Sequence, residues 1–202
     1  MNMLKLNRHP YVFAESKRIP RPAPTAISSK MRKPPGQTIG RPGISFDPEA
    51  AHHLAALSHT LMHKECPISA SLRELIAAYT SSLNQCEFCM KTHAAVASQL
   101  LGDEALVWSV IRDLDASNLN DKEKELLRFV RKVTLAPSYI TATDTQQLNA
   151  AGWDDASIFY AISACALFTF YNRWISATGV NPVSDEAFKN LASRMAMVGY
   201  DR

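Results

Sequence analysis

The segment NQCEFCMKTHAAVASQL (residues 84–100) is the most informative stretch of this chain. We predict that it forms a helix that starts near Cys86 and is stopped by Gly102. Cys86 and Cys89 are three residues apart, so on a helix they share a face and their sulfurs can approach disulfide distance. His93 follows Cys89 by four residues, which places it one turn further along the same face.

The start of a helix favours an ionised thiol. Asn84 and Gln85 precede the predicted helix, so both thiols fall in its first turn. The unpaired N–H groups and the positive dipole end stabilise an anion there, which lowers the pKa of a thiol. His93 can accept a proton from a thiol or return one to a leaving group. The segment therefore predicts cysteine redox chemistry.

The remainder of the chain from Asp47 onward is also predicted to be helical, with no strand alternation. Asp47 is followed by a proline at the first helical position. Further helices are predicted over about 70–83, 103–113, 120–136, 143–151 and 154–178, and Ser184 starts a last one that we expect to be peripheral. Residues 47–202 are therefore predicted to form one all-α domain.

Apolar spacing predicts which faces are packed. In the first helix the packed face is predicted to carry Leu54, Leu57 and Leu61, with a stripe of His52, His59 and His63 opposite them. In the second helix the apolar stripe consists of Leu72, Ile76, Tyr79 and Leu83. Glu74 falls opposite this second stripe, and periodicity alone predicts that it is exposed.

The leading segment differs in composition from the rest. Residues 1–43 hold seven of the eleven prolines and nine Lys or Arg against one acidic residue. We predict that residues 1–46 form an extended, basic, Pro-rich arm that lies across its own domain or a neighbouring subunit. The rest of the chain holds 13 basic and 18 acidic residues. That balance argues against nucleic-acid binding by the helical domain, which would need clustered cations.

Composition also bears on location. No run of 18 apolar residues exists, so we expect no membrane-spanning helix. The first residues lack the apolar stretch of a secretory signal, and four cysteines in 202 residues do not make a secreted disulfide framework. We therefore expect a cytoplasmic, reducing location, where a close cysteine pair is redox-active or binds a metal.

Other uses of the cysteine pair are open at this point. A thioredoxin-like site needs a βαβ context, and covalent haem attachment needs CxxCH, whereas Met90 follows the second cysteine. A zinc site would need a fourth ligand, for which Cys66 or His63 is a candidate. The pair can also be inert and buried in the core.

Several further residues are given structural interpretations. His59 and His63 have metal-ligand spacing, but no carboxylate lies in register, which favours a polar helix face or a subunit contact. Cys66 is interpreted as a loop thiol and Cys165 as a packing residue. Asn172 is a candidate pocket residue in the apolar seventh helix, whose aromatic residues are expected in the core and interface: Phe168, Phe170, Tyr171 and Trp174.

The spacing Glu74, eleven residues, Cys86-Glu87-Phe88-Cys89, three residues, His93 resembles the signature of the alkylhydroperoxidase D (AhpD)-like branch of the carboxymuconolactone decarboxylase superfamily. The resemblance extends from about residue 47 to 180. It includes ALFTFYNRWISATGV, which is similar to the late helix of the peroxidase-related members. It implies an all-α bundle that assembles into homo-oligomers.

The resemblance also implies roles for these residues. Cys89 would attack the O–O bond of a hydroperoxide and become a sulfenic acid, and Cys86 would resolve it as a disulfide. His93 would shuttle the proton, and Glu74 would orient and charge-balance His93. A dithiol reductant, lipoyl-bearing proteins in the family, would reduce the disulfide, and no metal or other cofactor is implied.

The chain departs from the pattern at Phe88, where the well-studied peroxidases have histidine. An aromatic ring cannot relay protons, so this departure predicts slow turnover or a different substrate. The decarboxylase branch lacks the CxxC, which disfavours lactone decarboxylation. The alternative function is a thiol–disulfide or zinc-holding helical oligomer without peroxidase turnover.

Overall fold

The computed structural model describes residues 47–178 and 184–200, so the predicted arm of residues 1–46 lies outside the described residues. The described residues form eight α-helices and one 3₁₀ turn, Pro137–Tyr139, and no strand. The prediction of an all-α fold is confirmed. The helices are α1 (Pro48–Met62), α2 (Ala70–Leu83), α3 (Glu87–Leu101), α4 (Glu104–Arg112), α5 (Asp121–Leu135), α6 (Ala142–Ala150), α7 (Asp155–Thr178) and α8 (Asp185–Val198).

Short polar side chains begin these helices, as the sequence predicts. The Asp47 carboxylate accepts a hydrogen bond from the Ala50 amide at 3.0 Å, and Asn120 accepts one from the Glu123 amide at 2.9 Å. Such caps satisfy amides that have no partner inside the helix. At the other end of α3, Gly102 takes the left-handed conformation, with φ of 68°.

Helix α2 lies at the centre of the bundle and packs against α3, α7, α5 and α4. Every residue from Leu72 to Ser81 is buried, including Glu74, whose exposed fraction is 3%. The prediction of an exposed face around Glu74 is therefore wrong. Ala77, Ala78 and Ser81 are small, so neighbouring helices pack over both faces of α2.

Helix α1 packs mainly through its small residues, and of the predicted leucines Leu61 is packed against the core. Its buried residues are Ala51, Ala55, Ser58 and Met62, whereas Leu57 is 47% exposed. The Ser58 hydroxyl lies 2.9 Å from the Tyr171 hydroxyl of α7, a hydrogen bond that small neighbours permit because the two helices can approach closely.

The last helix, α8, is not peripheral, and that prediction is wrong. It packs along α3, where Val96 forms a small cluster with Ala192 and Met195. The Phe188 ring lies 5.7 Å from the ring of Phe88, the residue between the two cysteines. Helix α8 therefore covers the helix that carries the cysteine pair.

Across the described ranges, 47–178 and 184–200, none of the helices combines the length and apolar character required to cross a membrane.

Candidate active site

The turn between α2 and α3 places the cysteines. Gln85 has a left-handed backbone, with φ of 58°, which reverses the chain. Cys86 follows as the N-cap residue of α3, and its amide donates to the Ser81 carbonyl at 2.9 Å. Its own carbonyl accepts the first helical hydrogen bond, from the Met90 amide at 2.9 Å. Cys86 thus immediately precedes the first residue of α3, and Cys89 lies within the first turn of the helix.

The two thiols are free, buried and ionised to different degrees. Cys86 is 2% exposed and Cys89 is 4% exposed. A hydrogen bond from the Cys89 S–H lowers the pKa of Cys86 to about 6, against the opposing effect of burial. The same hydrogen bond, followed by burial, raises the pKa of Cys89. The hydrogen bond between the two thiols therefore favours the ionised form of Cys86 and the protonated form of Cys89.

Asn172 of α7 joins this pair to the end of α2. It is 2% exposed, its amide nitrogen donates to the Ser81 hydroxyl at 2.9 Å, and its oxygen accepts from Asn84 at 3.0 Å. Its side chain also lies beside both thiols, where the amide dipole favours their ionised forms and acts to lower their pKa. The candidate pocket residue of the sequence analysis thus lies beside both predicted cysteines.

Glu74 and His93 form a second buried pair. The Glu74 Oε2 and the His93 Nδ1 are 2.7 Å apart, and His93 is 5% exposed. An ionised carboxylate only accepts, so Nδ1 carries the proton, and in the neutral ring Nε2 is the unprotonated nitrogen. The ring packs edge-on against Phe168 at 4.1 Å between centroids, which fixes its orientation.

Tyr200 completes this second pair, and the sequence analysis missed it. Its hydroxyl donates to the Glu74 Oε1 at 2.6 Å and lies 3.3 Å from the His93 Nδ1. Its ring is nearly parallel to the imidazole, at 9° and 6.2 Å between centroids. Tyr200 is 126 residues from Glu74 in the chain and lies beyond the segment that resembles the family, so no local pattern signals it.

The four predicted site residues are thus placed on one helical hairpin as two adjacent pairs. Cys86 and Cys89 lie at its turn, and His93 follows on α3 with its Glu74 partner on α2. The described contacts of the His93 ring are to Glu74, Tyr200 and Phe168, and not to either sulfur. A thiolate and a nearby proton acceptor on one rigid hairpin provide the groups that a thiol-based reduction uses.

The remaining candidate ligands do not join the cysteines. No group of three or more His, Cys, Asp or Glu side chains arranged to hold a metal is present within residues 47–178 and 184–200. His59 and His63 lie 5.0 Å apart and pack against Gly199, where a Cβ would come within 2.6 Å of the His63 ring. They therefore lie against the glycine that follows α8. The Cys66 thiol donates to the Ile68 carbonyl at 3.2 Å.

The fold and the site together define a small all-α protein with a buried cysteine pair at a helix start. The model of the carboxymuconolactone decarboxylase family matches residues 48–132, which include both cysteines, Glu74 and His93. No curated protein matches the sequence significantly.

Solved structures extend this match over most of the described chain. An uncharacterized peroxidase-related protein from Silicibacter sp. TM1040 is 29% identical, with a TM-score of 0.68 over 71% of this chain and 75% of that one. An alkylhydroperoxidase AhpD core protein from Ralstonia eutropha JMP134, also uncharacterized and peroxidase-related, is 24% identical, with a TM-score of 0.68 over 72% and 76%. The debrominase Bmp8, solved with 2,3,4-tribromopyrrole, is 17% identical, with a TM-score of 0.64 over 76% and 80%, and shares the fold alone.

The family match of residues 48–132 and the 29% identical peroxidase-related structure support the similarity of this chain to the AhpD-like members of the carboxymuconolactone decarboxylase superfamily. The family resemblance inferred from the Glu74, Cys86, Cys89 and His93 spacing is confirmed.

Proposed function

We propose that this protein is a thiol-dependent peroxidase that reduces hydroperoxides through Cys86 and Cys89. The observation that carries the proposal is the buried pair at the start of α3, in which one thiol ionises with a pKa of about 6. The second support is the His93–Glu74 pair on the same hairpin, and the third is the similarity to a peroxidase-related protein at 29% identity.

The first step is an attack of the Cys86 thiolate on one oxygen of the hydroperoxide. An S–O bond forms while the O–O bond breaks, so the sulfur is oxidised to a sulfenic acid and the peroxide is reduced. The departing alkoxide takes up a proton and leaves as an alcohol. That proton comes from the solvent, because Nε2 of His93 is unprotonated and Cys89 keeps its proton until the second step.

In the second step Cys89 resolves the sulfenic acid. Its sulfur attacks the Cys86 sulfur, a disulfide forms, and hydroxide departs and is protonated to water. The Cys89 proton must be removed for this attack because its pKa is raised. The unprotonated Nε2 of His93, one turn along α3, is the acceptor in this proposal, and Glu74 stabilises the resulting imidazolium.

This order of the two cysteines is the reverse of the one implied by the family resemblance. The resemblance has Cys89 attack and Cys86 resolve. The thiolate is the nucleophile, and the hydrogen bond between the two thiols lowers the pKa of Cys86 and raises that of Cys89, which supports Cys86 in this role. Trapping the sulfenic acid with dimedone in Cys86→Ser and Cys89→Ser decides the order, since only the variant that retains the attacking cysteine is labelled.

A full cycle needs an external dithiol, because the oxidised pair has no reductant of its own. Exchange with that dithiol restores both thiols and leaves the donor as a disulfide. We propose a reducing, cytoplasmic location for this cycle, in keeping with the four free cysteines.

We also propose that the chain forms a homo-oligomer. Along α7, Phe159, Ile162 and Phe170 are 59%, 38% and 44% exposed and recur at helical spacing on the outer face of the described bundle. An apolar stripe of this kind is typical of an interface between subunits, because exposed aromatic side chains gain from burial.

The test of peroxidase function is a titration of reduced protein with cumene hydroperoxide. We expect loss of two thiols per chain with formation of one alcohol, and no such stoichiometry in Cys86→Ser or Cys89→Ser. Cys66→Ser is the matched control, because Cys66 is half-buried and hydrogen-bonded away from the pair.

The same protein sample distinguishes the proposed peroxidase from the alternative function, a thiol–disulfide or zinc-holding oligomer. A protein that keeps all thiols with hydroperoxide and contains bound zinc is a metal-holding oligomer. One that exchanges disulfides with a dithiol but does not consume peroxide is a thiol–disulfide protein. Either result contradicts the proposed peroxidase function.

A further inference from the structure

We propose that Tyr200, at the end of the chain, is a positioning residue that fixes the tautomer of His93 through Glu74. This inference deepens the proposed function, because it concerns the proton acceptor of the same site. It rests on contacts that neither the cysteine motif nor the family match of residues 48–132 includes.

The carboxylate of Glu74 has two oxygens, and each has a hydrogen-bond partner. Oε2 faces the His93 Nδ1 at 2.7 Å, and Oε1 accepts from the Tyr200 hydroxyl at 2.6 Å. A hydrogen bond from a hydroxyl to a carboxylate is short and strong, and with both oxygens held the carboxylate cannot rotate. The Nδ1 proton therefore stays on the Glu74 side, which leaves Nε2 as the accepting nitrogen.

Tyr200 acts as a hydrogen-bond donor over the whole working pH range. Burial and the adjacent Glu74 charge raise the pKa of Tyr200 well above its ordinary value of 10.0. The phenol therefore keeps its proton under conditions in which the Cys86 thiolate has formed. A phenolate at this position would lose the donated hydrogen bond and place a negative charge beside Glu74.

The C-terminal segment is packed in a way that places this hydroxyl accurately. Helix α8 lies along α3, and Phe188 contacts Phe88 at 5.7 Å between ring centroids. Gly199 then takes a φ of 73° and lies against His59 and His63, where no larger residue fits. The left-handed turn at this glycine directs Tyr200 under α1 and onto Glu74.

It follows that the sequence motif alone does not complete the site. The motif supplies the thiols, the imidazole and the carboxylate from α2 and α3, and the last helix supplies the donor that holds the carboxylate. Position 88, where the well-studied peroxidases have histidine, here carries a ring that helps to anchor that helix. The polar group that accompanies the imidazole in this chain comes from residue 200.

The first test uses Tyr200→Phe, which removes one oxygen and keeps the ring, with Tyr139→Phe as the matched control because Tyr139 is 73% exposed. Nitrogen-15 NMR of labelled histidine reports which ring nitrogen of His93 is protonated. We expect the wild type and the control to show a single Nδ1-protonated form and Tyr200→Phe to show a mixture. The maximal rate of peroxide-driven thiol oxidation should fall about tenfold in Tyr200→Phe, with KM unchanged.

Two results would overturn the inference. One is a His93 tautomer in Tyr200→Phe that is the same as in the wild type. The other is a rate of thiol oxidation in Tyr200→Phe within twofold of an active wild type.

A second test avoids any change of shape and applies even if Tyr200→Phe fails to fold. Fluorinated tyrosines incorporated at position 200 lower the pKa of the phenol in known steps. We expect the single His93 tautomer to be lost at a lower pH as the pKa of the phenol is lowered. The reason is that the phenol no longer donates a hydrogen bond once it has ionised. A merely structural ring would leave that pH unchanged, which would refute the positioning role.

These readouts also separate this inference from the proposed function. The tautomer of His93 is measured without peroxide or reductant. If the wild type does not consume hydroperoxide, the peroxidase function fails, and the NMR comparison still decides whether Tyr200 positions the imidazole.

Discussion

Glu74 Oε2 lies 2.7 Å from His93 Nδ1, and both residues are almost completely buried, at 3% and 5% exposure. They stand 19 residues apart in the chain, on the two helices of the α2–α3 hairpin. A buried carboxylate without a partner is costly, so the imidazole and the Tyr200 hydroxyl stabilise Glu74 as much as Glu74 orients them. The three side chains act as one unit.

Replacement of Glu74 by Gln tests this unit. The amide keeps the size of the side chain, but it carries no charge and can accept from only one of its two partners. Because general acid–base catalysis contributes at least about 10²-fold, we expect the rate of peroxide-driven thiol oxidation to fall by about that factor. Stopped-flow measurement of thiol loss gives the rate.

Glu87→Gln is the control for this change. Glu87 is in the first turn of α3 and pairs with Lys91 at 3.0 Å on the exposed surface. Its replacement should leave the rate within about twofold, since exposed pairs contribute little. A Glu74→Gln protein that oxidises as fast as the wild type would show that the pair is structural.

The ionisation of Cys86 predicts a pH profile. Because the pKa of Cys86 is lowered from 9.0 to about 6, its alkylation by iodoacetamide should reach half its maximal rate near pH 6. Peptide mapping should find the label on Cys86 before Cys89. In Cys89→Ala the S–H donor is absent, so the half-maximal pH should rise toward 9. Labelling of Cys89 first would contradict the assignment.

The same shift predicts how stability depends on pH. Between about pH 6 and 9 folded Cys86 has released a proton that the unfolded chain still binds. The unfolded state binds more protons, so the free energy of unfolding of the reduced protein rises with pH over this window. Urea titrations at several pH values measure the slope. Cys86→Ser should remove most of this slope, and an equal slope in that variant would refute the assignment.

Because Asn172 contacts both the end of α2 and the thiols, its replacement should change stability and thiol reactivity together. In Asn172→Leu both thiols lose a neighbouring amide that acts to lower their pKa, so the half-maximal pH of Cys86 alkylation should rise. Ser81 and Asn84 also lose their buried partner, which should lower the free energy of unfolding by about 1–3 kcal/mol. Asn149→Leu, at an exposed position of α6, is the control for both measurements.

The two readouts of Asn172→Leu have separate meanings. A lower stability with an unchanged alkylation profile would show that Asn172 only packs α7 onto α2. In that case its contact with the thiols has no electrostatic effect.

The apolar stripe of α7 predicts assembly. Phe170→Glu places a charge where we propose that another copy binds, and burial of an unpaired carboxylate is costly. Light scattering should show a smaller species for this variant than for the wild type. Tyr139→Glu changes a residue that is 73% exposed outside the stripe, and its mass should be that of the wild type. A wild type that is monomeric at all concentrations would refute the proposed oligomer.

Sequence reasoning identified the parts of the fold that depend on local signals. Helix α2 begins and ends at the predicted residues, Ala70 and Leu83, and the caps Asp47 and Asn120 act as predicted. Caps, prolines and the glycine after α3 determine the backbone conformation only within a few residues of their own positions. For that reason they can be identified without knowledge of the tertiary structure.

Burial and long-range contacts could not be predicted in the same way. Periodicity places Glu74 on the exposed side of α2, but α2 is enclosed on all sides, so there is no exposed side. Leu57 is exposed because small residues of α1 form its packed face. The contact of Tyr200 with Glu74 depends on how α8 docks on α3, and nothing in the local sequence encodes that docking.

Phe88 provides the last prediction, because it is the one departure from the family pattern beside the cysteines. Its ring contacts Phe188 of α8 at 5.7 Å, so it serves the docking of the helix that carries Tyr200. Phe88→His introduces the residue that the well-studied peroxidases have, but it weakens an aromatic pair worth about 0.5–1.5 kcal/mol. We expect a lower melting temperature and no gain in the rate of thiol oxidation. Tyr139→His, at a residue that is 73% exposed outside the apolar stripe of α7, controls for the introduction of an imidazole and should leave the rate unchanged. A faster reaction in Phe88→His would show instead that a proton relay at position 88 limits this protein and that the docking of α8 does not depend on that ring.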